Sequence, residues 1–474
     1  MLKKHVTAGS ILLLALSQIA GGILLIIFNN TAIKWISMLL GLALIIFSIL
    51  SFFIHMLRYF NFKSALNSFK KLKDKKYIKT IKEYKINKLK LMDVIIIISS
   101  AILGIIILNF PNLFVALVPI AFSLYCFLLF IIYLISYVQM RRDNLKRKTS
   151  TLISGLISFG FFITFLIQPL HYVDILTILI GCLLIGYGFI GIFDFFTEID
   201  PKFYHKHFFA KIKIALPVFF TAFIPHRILV AINKAIATDK TATAETLNLD
   251  VHKTEEKAEL EIFVHVSDNG VGTIGHADLC FEGEVLSYGA YDEKTSKLFN
   301  AIGDGCYFKT KNRDKYLDFC IKNDEKTMFV FGIKLTDEQK EILKKEIAKL
   351  EKDIYIWLPP CQVDIEKGNP LKEEYSDYAS KLVMGAGVTF YKFKRGTYKS
   401  YFVLNTNCVK LPERLLYKSG AGVLAYSGII SPGTFFNYLN GEFLKSNTCV
   451  ISRTVYNDTL NKVKIKKKKK HFKK

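Results

Sequence analysis

Charged side chains are missing from long parts of this 474-residue chain. Residues 94–140 carry none in a run of 47, and Arg141, Arg142, Lys146, Arg147 and Lys148 follow at once. A helix crossing a hydrocarbon core of ~30 Å needs about 20 apolar residues. The run is therefore long enough for two crossings, with turn signals at Asn109, Pro111 and Asn112. Uncharged spans also occupy residues 11–28, 35–54, 151–167 and 175–193. Six crossings in three hairpins are expected, and the repeated absence of charge excludes the buried core of a soluble protein. No small-residue cleavage site follows the first span, which excludes a cleavable signal peptide. Ionisable groups inside the spans are missing too, since Asp174 and Asp194 lie only at the ends of the sixth. That lack argues against a transport pathway.

The cations that are present sit asymmetrically. The connection 58–90 carries 12 Lys and Arg, the 141–148 loop five, and Lys3 and Lys4 precede the first span, whereas the alternate loops hold only Lys34. Short basic loops stay on the cytoplasmic side, so both termini are expected there, in a cell membrane. Residues 214–226 are uncharged but short, and hold Pro217 and Pro225. They are expected to lie on the membrane surface as an amphipathic helix. A seventh crossing there would place everything after it outside the cell.

Gly155 and Gly160 in the fifth span, and Gly181, Gly186, Gly188 and Gly191 in the sixth, suit close approach of helix backbones. The segments MLLGLALIIFSILSFF and ILIGCLLIGYGFIGIFDFF share an early glycine and an apolar run, as equivalent helices of a repeat would. With its three hairpins, this half resembles the short-repeat, six-helix HdeD-like family of bacterial acid-resistance membrane proteins. The resemblance covers about the first 200 residues and implies a bacterial inner membrane.

After Asp200 the composition changes. The expected organisation is a six-helix transmembrane domain (1–196), a basic juxtamembrane linker (197–250), a cytoplasmic domain (251–456) and a disordered polylysine tail (457–474). Nine of the last 13 residues are lysine, and with the basic connection they account for most of the net charge of +24. Beside a cytoplasmic leaflet each such lysine gains on the order of 1 kcal/mol from anionic lipid headgroups. The bilayer and those headgroups are the expected partners. No aromatic-rich RNA motif or helix-turn-helix accompanies the basic runs, so nucleic acid is not expected.

Six cysteines fall in the soluble part, with neither CxxC pairs nor zinc spacing. Most are expected to be reduced and buried. No Walker A sequence and no HExxH helix occurs, and no cofactor or metal is expected. Residues 260–267, 273–281 and 284–288 read as an antiparallel meander. Residues 336–350 read as a helix with Thr336 and Gln339 as its capping box, and 398–404 as a strand leading into a helix at 408–417. Gly270, Gly272 and Gly275 spell GxGxxG, but a strand follows instead of the helix that a dinucleotide requires, so they read as hairpin residues.

What remains is His276 early in a strand and Asn407-Cys408 where a strand gives way to a helix. A thiol is a strong nucleophile only as thiolate, which a helix N-terminus and a nearby imidazolium both favour. Pro412 supports a helix start here, because proline is tolerated in the first turn. His252 and His265 compete with His276, and five cysteines with Cys408. The succession GHADLCFEG, EVLSYGAYD, YFVLNTNCVKLPERLL and GIISPGTFFNYL resembles the permuted branch of the NlpC-type, papain-like cysteine hydrolases, which includes lecithin retinol acyltransferase-like proteins.

That resemblance implies an α+β papain-like domain with Cys408 as nucleophile and His276 as base. It puts the polar residue that orients the imidazole at Tyr288, with Ser287 and Asp292 as neighbours able to substitute. Histidine or an acidic group is commoner there. The expected activity is hydrolysis or acyl transfer on an amide or ester, with a lipid-linked or peptide substrate. The alternative is a non-catalytic membrane protein of the acid-resistance type whose soluble domain is a binding module.

Overall fold

The computed structural model describes residues 7–71, 91–200, 221–222, 224–238, 249–267, 275–298, 300–421 and 430–458. Residues 72–90 of the basic connection, residues 214–220 and 223 of the amphipathic segment, Gly270, Gly272 and residues 459–474 of the polylysine tail lie outside them. Two compact units emerge, one of residues 18–130 and 156–186, the other of residues 1–17, 131–155 and 187–474.

The first unit is helical. Helix α1 (Ala8–Lys71) is two spans, Ala8–Asn29 and Thr31–Leu57, separated where Asn29 takes a φ of 47°. With ψ at −124° the residue is not helical, and it marks the turn between the two spans. Helices α2 (Leu91–Asn109), α3 (Pro111–Arg142), α4 (Lys148–Ile167) and α5 (Val173–Ile199) break at the expected turns. Five helical stretches among the described residues are long and apolar enough to cross a membrane, and α2 contributes a shorter apolar helix, Asp93–Asn109. Leucine and isoleucine point outward, Ile27 at 67% and Leu39 at 65% exposure, as lipid rather than water as solvent requires.

Small residues face inward. A Cβ on Gly22 would stand 2.6 Å from the carbonyl of Gly181, and one on Gly181 would stand 2.8 Å from that of Gly22. The pair Gly41 and Gly104 repeats this reciprocity, and Ser48 donates across the same helix pair to the Ile97 carbonyl at 2.8 Å. In both pairs the glycine packs beside an apolar residue four positions on in the facing helix, Ile185 against Gly22 and Ile45 against Gly104. The likeness of the Gly41 and Gly181 segments thus corresponds to equivalent contacts. Gly160 has nothing within 4 Å of its Cβ position, so it is not a packing glycine in this chain. A third pair, α3 with α4, is closed by Phe127 on Phe162 and Phe122 on Phe165, with Ser123 donating to the Phe162 carbonyl.

The second unit is built on an antiparallel sheet. Its strands are β1 (Asp250–His252), β2 (Leu260–Val266), β3 (His276–Phe281), β4 (Glu284–Gly289), β6 (Cys306–Thr310), β7 (Thr327–Ile333), β8 (Ile354–Ile356), β9 (Thr389–Phe393) and β11 (Val450–Tyr456). They lie in the order β1-β11-β7-β2-β3-β4-β6-β9-β8, so the expected meander is its centre. A separate pair joins β5 (Ile302–Asp304) to β10 (Ser400–Phe402).

Alternation along the strands divides the core in two. Ile262, Val264, Ala277, Leu279 and Tyr288 face α11 (Lys410–Ser419) and α12 (Pro432–Leu444). Phe263, Cys280 and Val285 face α7 (Arg313–Lys322) and α10 (Tyr378–Ala386). Helix α6 (Ile224–Thr238) adds Leu229 and Ile232 to the first cluster. Helix α8 (Asp337–Glu351) opens with the expected capping box, Thr336 accepting from the Gln339 N–H, and α9 (Pro360–Glu366) is short. Five of the six cysteines in this unit are buried and Cys449 is half-buried, all as free thiols.

Candidate active site

His265, His276, Asp278 and Ser287 continue the second face of β2, β3 and β4, where the pattern substitutes polar for apolar residues. His276 opens β3 and stands opposite His265. Gly275 precedes it with φ 92°, and a Cβ there would approach the His265 carbonyl to 2.6 Å, so only glycine fits. This is the described part of the glycine string, and it shapes the strand entry.

Asp278 lies on the same face two residues on, fully buried. Its Oδ1 is 2.9 Å from Nε2 of His276, and its Oδ2 is 2.6 Å from Nε2 of His265 and accepts from the Tyr316 hydroxyl at 2.6 Å. Nε2 of His276 also meets the hydroxyls of Ser287 at 3.1 Å and Tyr291 at 3.2 Å. Burial disfavours the charged imidazole of His276. The neighbouring Cys408 and then Asp278 outweigh it and raise His276 to about 10. Asp278 is desolvated as well, yet His276 and His265 hold it well below the usual carboxylate range. Burial pushes His265 down, against Asp278. Asp278 thus lies between one imidazole whose pKa is raised and one whose pKa is lowered.

Cys408 is in the turn before α11, next to the N-cap Val409, and 3% exposed. Asn407 builds the turn. Its Oδ1 accepts from the Val409 N–H at 3.1 Å, while Nδ2 donates to the carbonyls of Val403 at 3.0 Å and Ile430 at 2.5 Å. The helix starts two residues later than the sequence suggests because this Asx turn comes first. Cys408 lies beside the His276 imidazole, and both line one cavity. Tyr401 lies within reach of both the thiol and the backbone of Cys408, its hydroxyl kept neutral by burial.

Tyr288 is elsewhere. Being one residue out of step with Ser287, it points to the opposite face, where its hydroxyl donates to the Ser400 carbonyl at 3.0 Å. It does not orient the imidazole, and the reason is strand parity. Asp292 is engaged with Lys392 at 2.6 Å, leaving Ser287 as the neighbour that reaches His276. The acidic partner, Asp278, is the residue that sequence reasoning missed. A period-two reading of His-Ala-Asp would have placed it beside the histidine.

Cys408 and His276 open on a cavity of about 430 Å³ whose other walls include Val266, Val403, Leu404 and Pro432. A second cavity, about 450 Å³, shares His276, Tyr291, Lys326 and Tyr401 and continues past Glu293 and Ser296. Lys326 between them is tied to Asp324 and to the Tyr378 hydroxyl, each at 2.7 Å. Among the described residues no three His, Cys, Asp or Glu form a metal-binding group.

A family model described as a short repeat of unknown function (DUF308), the HdeD-like membrane family domain, matches residues 95–167, from α2 to the end of α4. The chain is a multi-pass membrane protein. No curated protein and no solved structure matches it.

Proposed function

We propose that this membrane protein carries a cysteine hydrolase or acyltransferase of the permuted papain-like kind, with Cys408 as nucleophile and His276 as its proton acceptor. The observation that carries the reading is that Cys408 lies beside an imidazole whose Nε2 stands 2.9 Å from a buried carboxylate. Nε2 of His276 is occupied by Asp278, Ser287 and Tyr291, which leaves Nδ1 to serve the thiol. A base oriented by a third group is the general arrangement for an activated nucleophile.

With His276 already holding the thiol proton, the sulfur attacks the carbonyl carbon of an amide or ester. The Cys408 N–H and the Tyr401 hydroxyl are the donors available to the oxyanion. Collapse expels an amine or alcohol, which takes the proton from His276 and leaves a thioester. Water or another acceptor then releases the acyl group with His276 as base. Apolar walls on the Cys408 side and a more polar second cavity fit a substrate with an apolar acyl part, consistent with a lipid-linked or membrane-protein acyl group. In this reading both termini are cytoplasmic, and the lysine runs rest on anionic headgroups.

Iodoacetamide labelling of the intact protein tests the proposal. Cys408 should react far faster than the other five cysteines of its unit, and His276→Ala should abolish the difference. Equal labelling overturns the enzymatic reading and favours a binding module.

A further inference from the structure

At 1.5 Å per residue, the 32 residues of α3 span about 48 Å, roughly 18 Å more than a hydrocarbon core. Its last turns are therefore free to project from lipid. They belong to the compact unit of the sheet, not to that of the bundle. Ser136, Gln139, Arg142 and Asp143, from these turns and the residue that follows, all bind the segment 399–405. Asn405 donates to the Ser136 hydroxyl at 2.7 Å, Gln139 to the Tyr401 carbonyl at 3.1 Å, and the Ser400 hydroxyl to Asp143 at 2.5 Å. Arg142 also donates to Ser400, and Lys399 lies 3.7 Å from Asp143. The Asp143 carboxylate is only 2% exposed, so these contacts have replaced its water.

The clamped segment runs directly into the site. It carries Tyr401, Val403 and Leu404, and reaches Cys408 through the Asn407 turn. A strand of only three residues, β10, gives it little support of its own, and its partner β5 is equally short. We propose that the end of α3 is a positioning element for the nucleophile, in which Asp143, Gln139 and Ser136 hold Tyr401 and the Cys408 turn against His276. A membrane-crossing helix would thereby complete a site otherwise built from the sheet domain. This inference rests on the cysteine-nucleophile reading above. Its residues touch neither substrate nor reacting atoms, so they act through Tyr401 and Cys408.

The test uses the full chain in detergent, with iodoacetamide as probe and mass spectrometry resolving each cysteine. Asp143→Ala and Asn405→Ala should each slow Cys408 labelling about ten-fold, since small displacements of reacting groups cost that much or more. Asp143→Glu should restore most of the rate, which a merely structural loss of charge burial would not predict. Buried Cys280 and Cys320 serve as internal reporters, and their labelling should stay slow if the domain remains folded. Unchanged Cys408 labelling in both alanine variants overturns the positioning role. Faster labelling of Cys280 and Cys320 together with Cys408 also overturns it, because the clamp would then be holding the fold and not the site. His276→Ala distinguishes the two levels. If it leaves wild-type Cys408 labelling unchanged, the nucleophile reading itself fails, whatever the clamp variants do.

Discussion

The two units solve the burial of polar groups in opposite ways. In the helical unit glycine and serine face inward beside a few buried apolar side chains such as Ile107 and Phe165, and backbone carbonyls come within 2.6–3.1 Å of where a Cβ would be. Apolar surface is left outside. In the sheet unit the outward faces are polar, the interior is aromatic, and a buried carboxylate and a buried histidine sit beside the partly exposed His276. In lipid, burying another leucine gains little, so close packing and hydrogen bonds hold helices together. In water, apolar burial stabilises by about 1.5–3 kcal/mol per large side chain, a surplus large enough to offset desolvating a charged cluster. The lesson is that the chemistry-bearing residues are found where the core can sustain their cost.

The sharpest way to break this contrast is at the cluster. His276→Ala should reduce Cys408 alkylation by about 100-fold or more, the lower end of what general-base assistance supplies. Asp278→Asn should give a smaller loss, about 10-fold, because the imidazole keeps Ser287 and Tyr291. Alkylation rates of purified variants measure both, and a smaller effect for His276→Ala than for Asp278→Asn would reverse the assigned roles.

In the bundle, Gly181→Leu should destabilise by about 1–3 kcal/mol through overpacking against Gly22, while Gly160→Leu should be nearly neutral. Thermal unfolding in detergent distinguishes them. Equal effects would mean that the reciprocal glycine contact is not what holds that helix pair.

The pH response of the sheet unit centres on this cluster. His276 is raised to about 10, so its contribution to stability is complete below its ordinary value of about 6.5 and is lost as pH rises through about 10. Asp278 is lowered, so its contribution holds above the ordinary carboxylate range and is lost only as pH falls through its depressed value. Wild type should therefore lose melting temperature towards about pH 10 more steeply than His276→Asn. Parallel curves would show that the imidazole is not charged in the folded state. The smallest effect belongs to Tyr288→Phe, which removes one hydrogen bond to Ser400 and should cost about 1 kcal/mol with labelling of Cys408 changed less than about threefold.

Much of the fold was legible. The hairpin turns at Asn29, Asn109 and Gln168, the meander of β2, β3 and β4, and the Thr336 capping box each depend on a few adjacent residues, and each appears where expected. The residues alone left Cys408 and His276 as one candidate pair among several, and the resemblance singled it out, since nothing local joins them. Tyr288 was misassigned because spacing along the chain ignored which face a strand residue occupies. Asp278 was passed over although it sits two residues from His276, and Tyr401 lacked any signal, since its importance comes from the turn at Asn407.

Local patterns settle what depends on summed local free energies. Uncharged runs of membrane length, the cations between them and the alternation of strand residues determined the crossings, their turns and an antiparallel sheet. Tertiary structure decided which carboxylate holds the imidazole, which tyrosine stands at the thiol, and that Asp143 reaches Ser400 across 257 positions. Those contacts depend on strand register and on helix ends meeting a distant segment. Their geometry is a property of the packed chain, so no short stretch of residues encodes it.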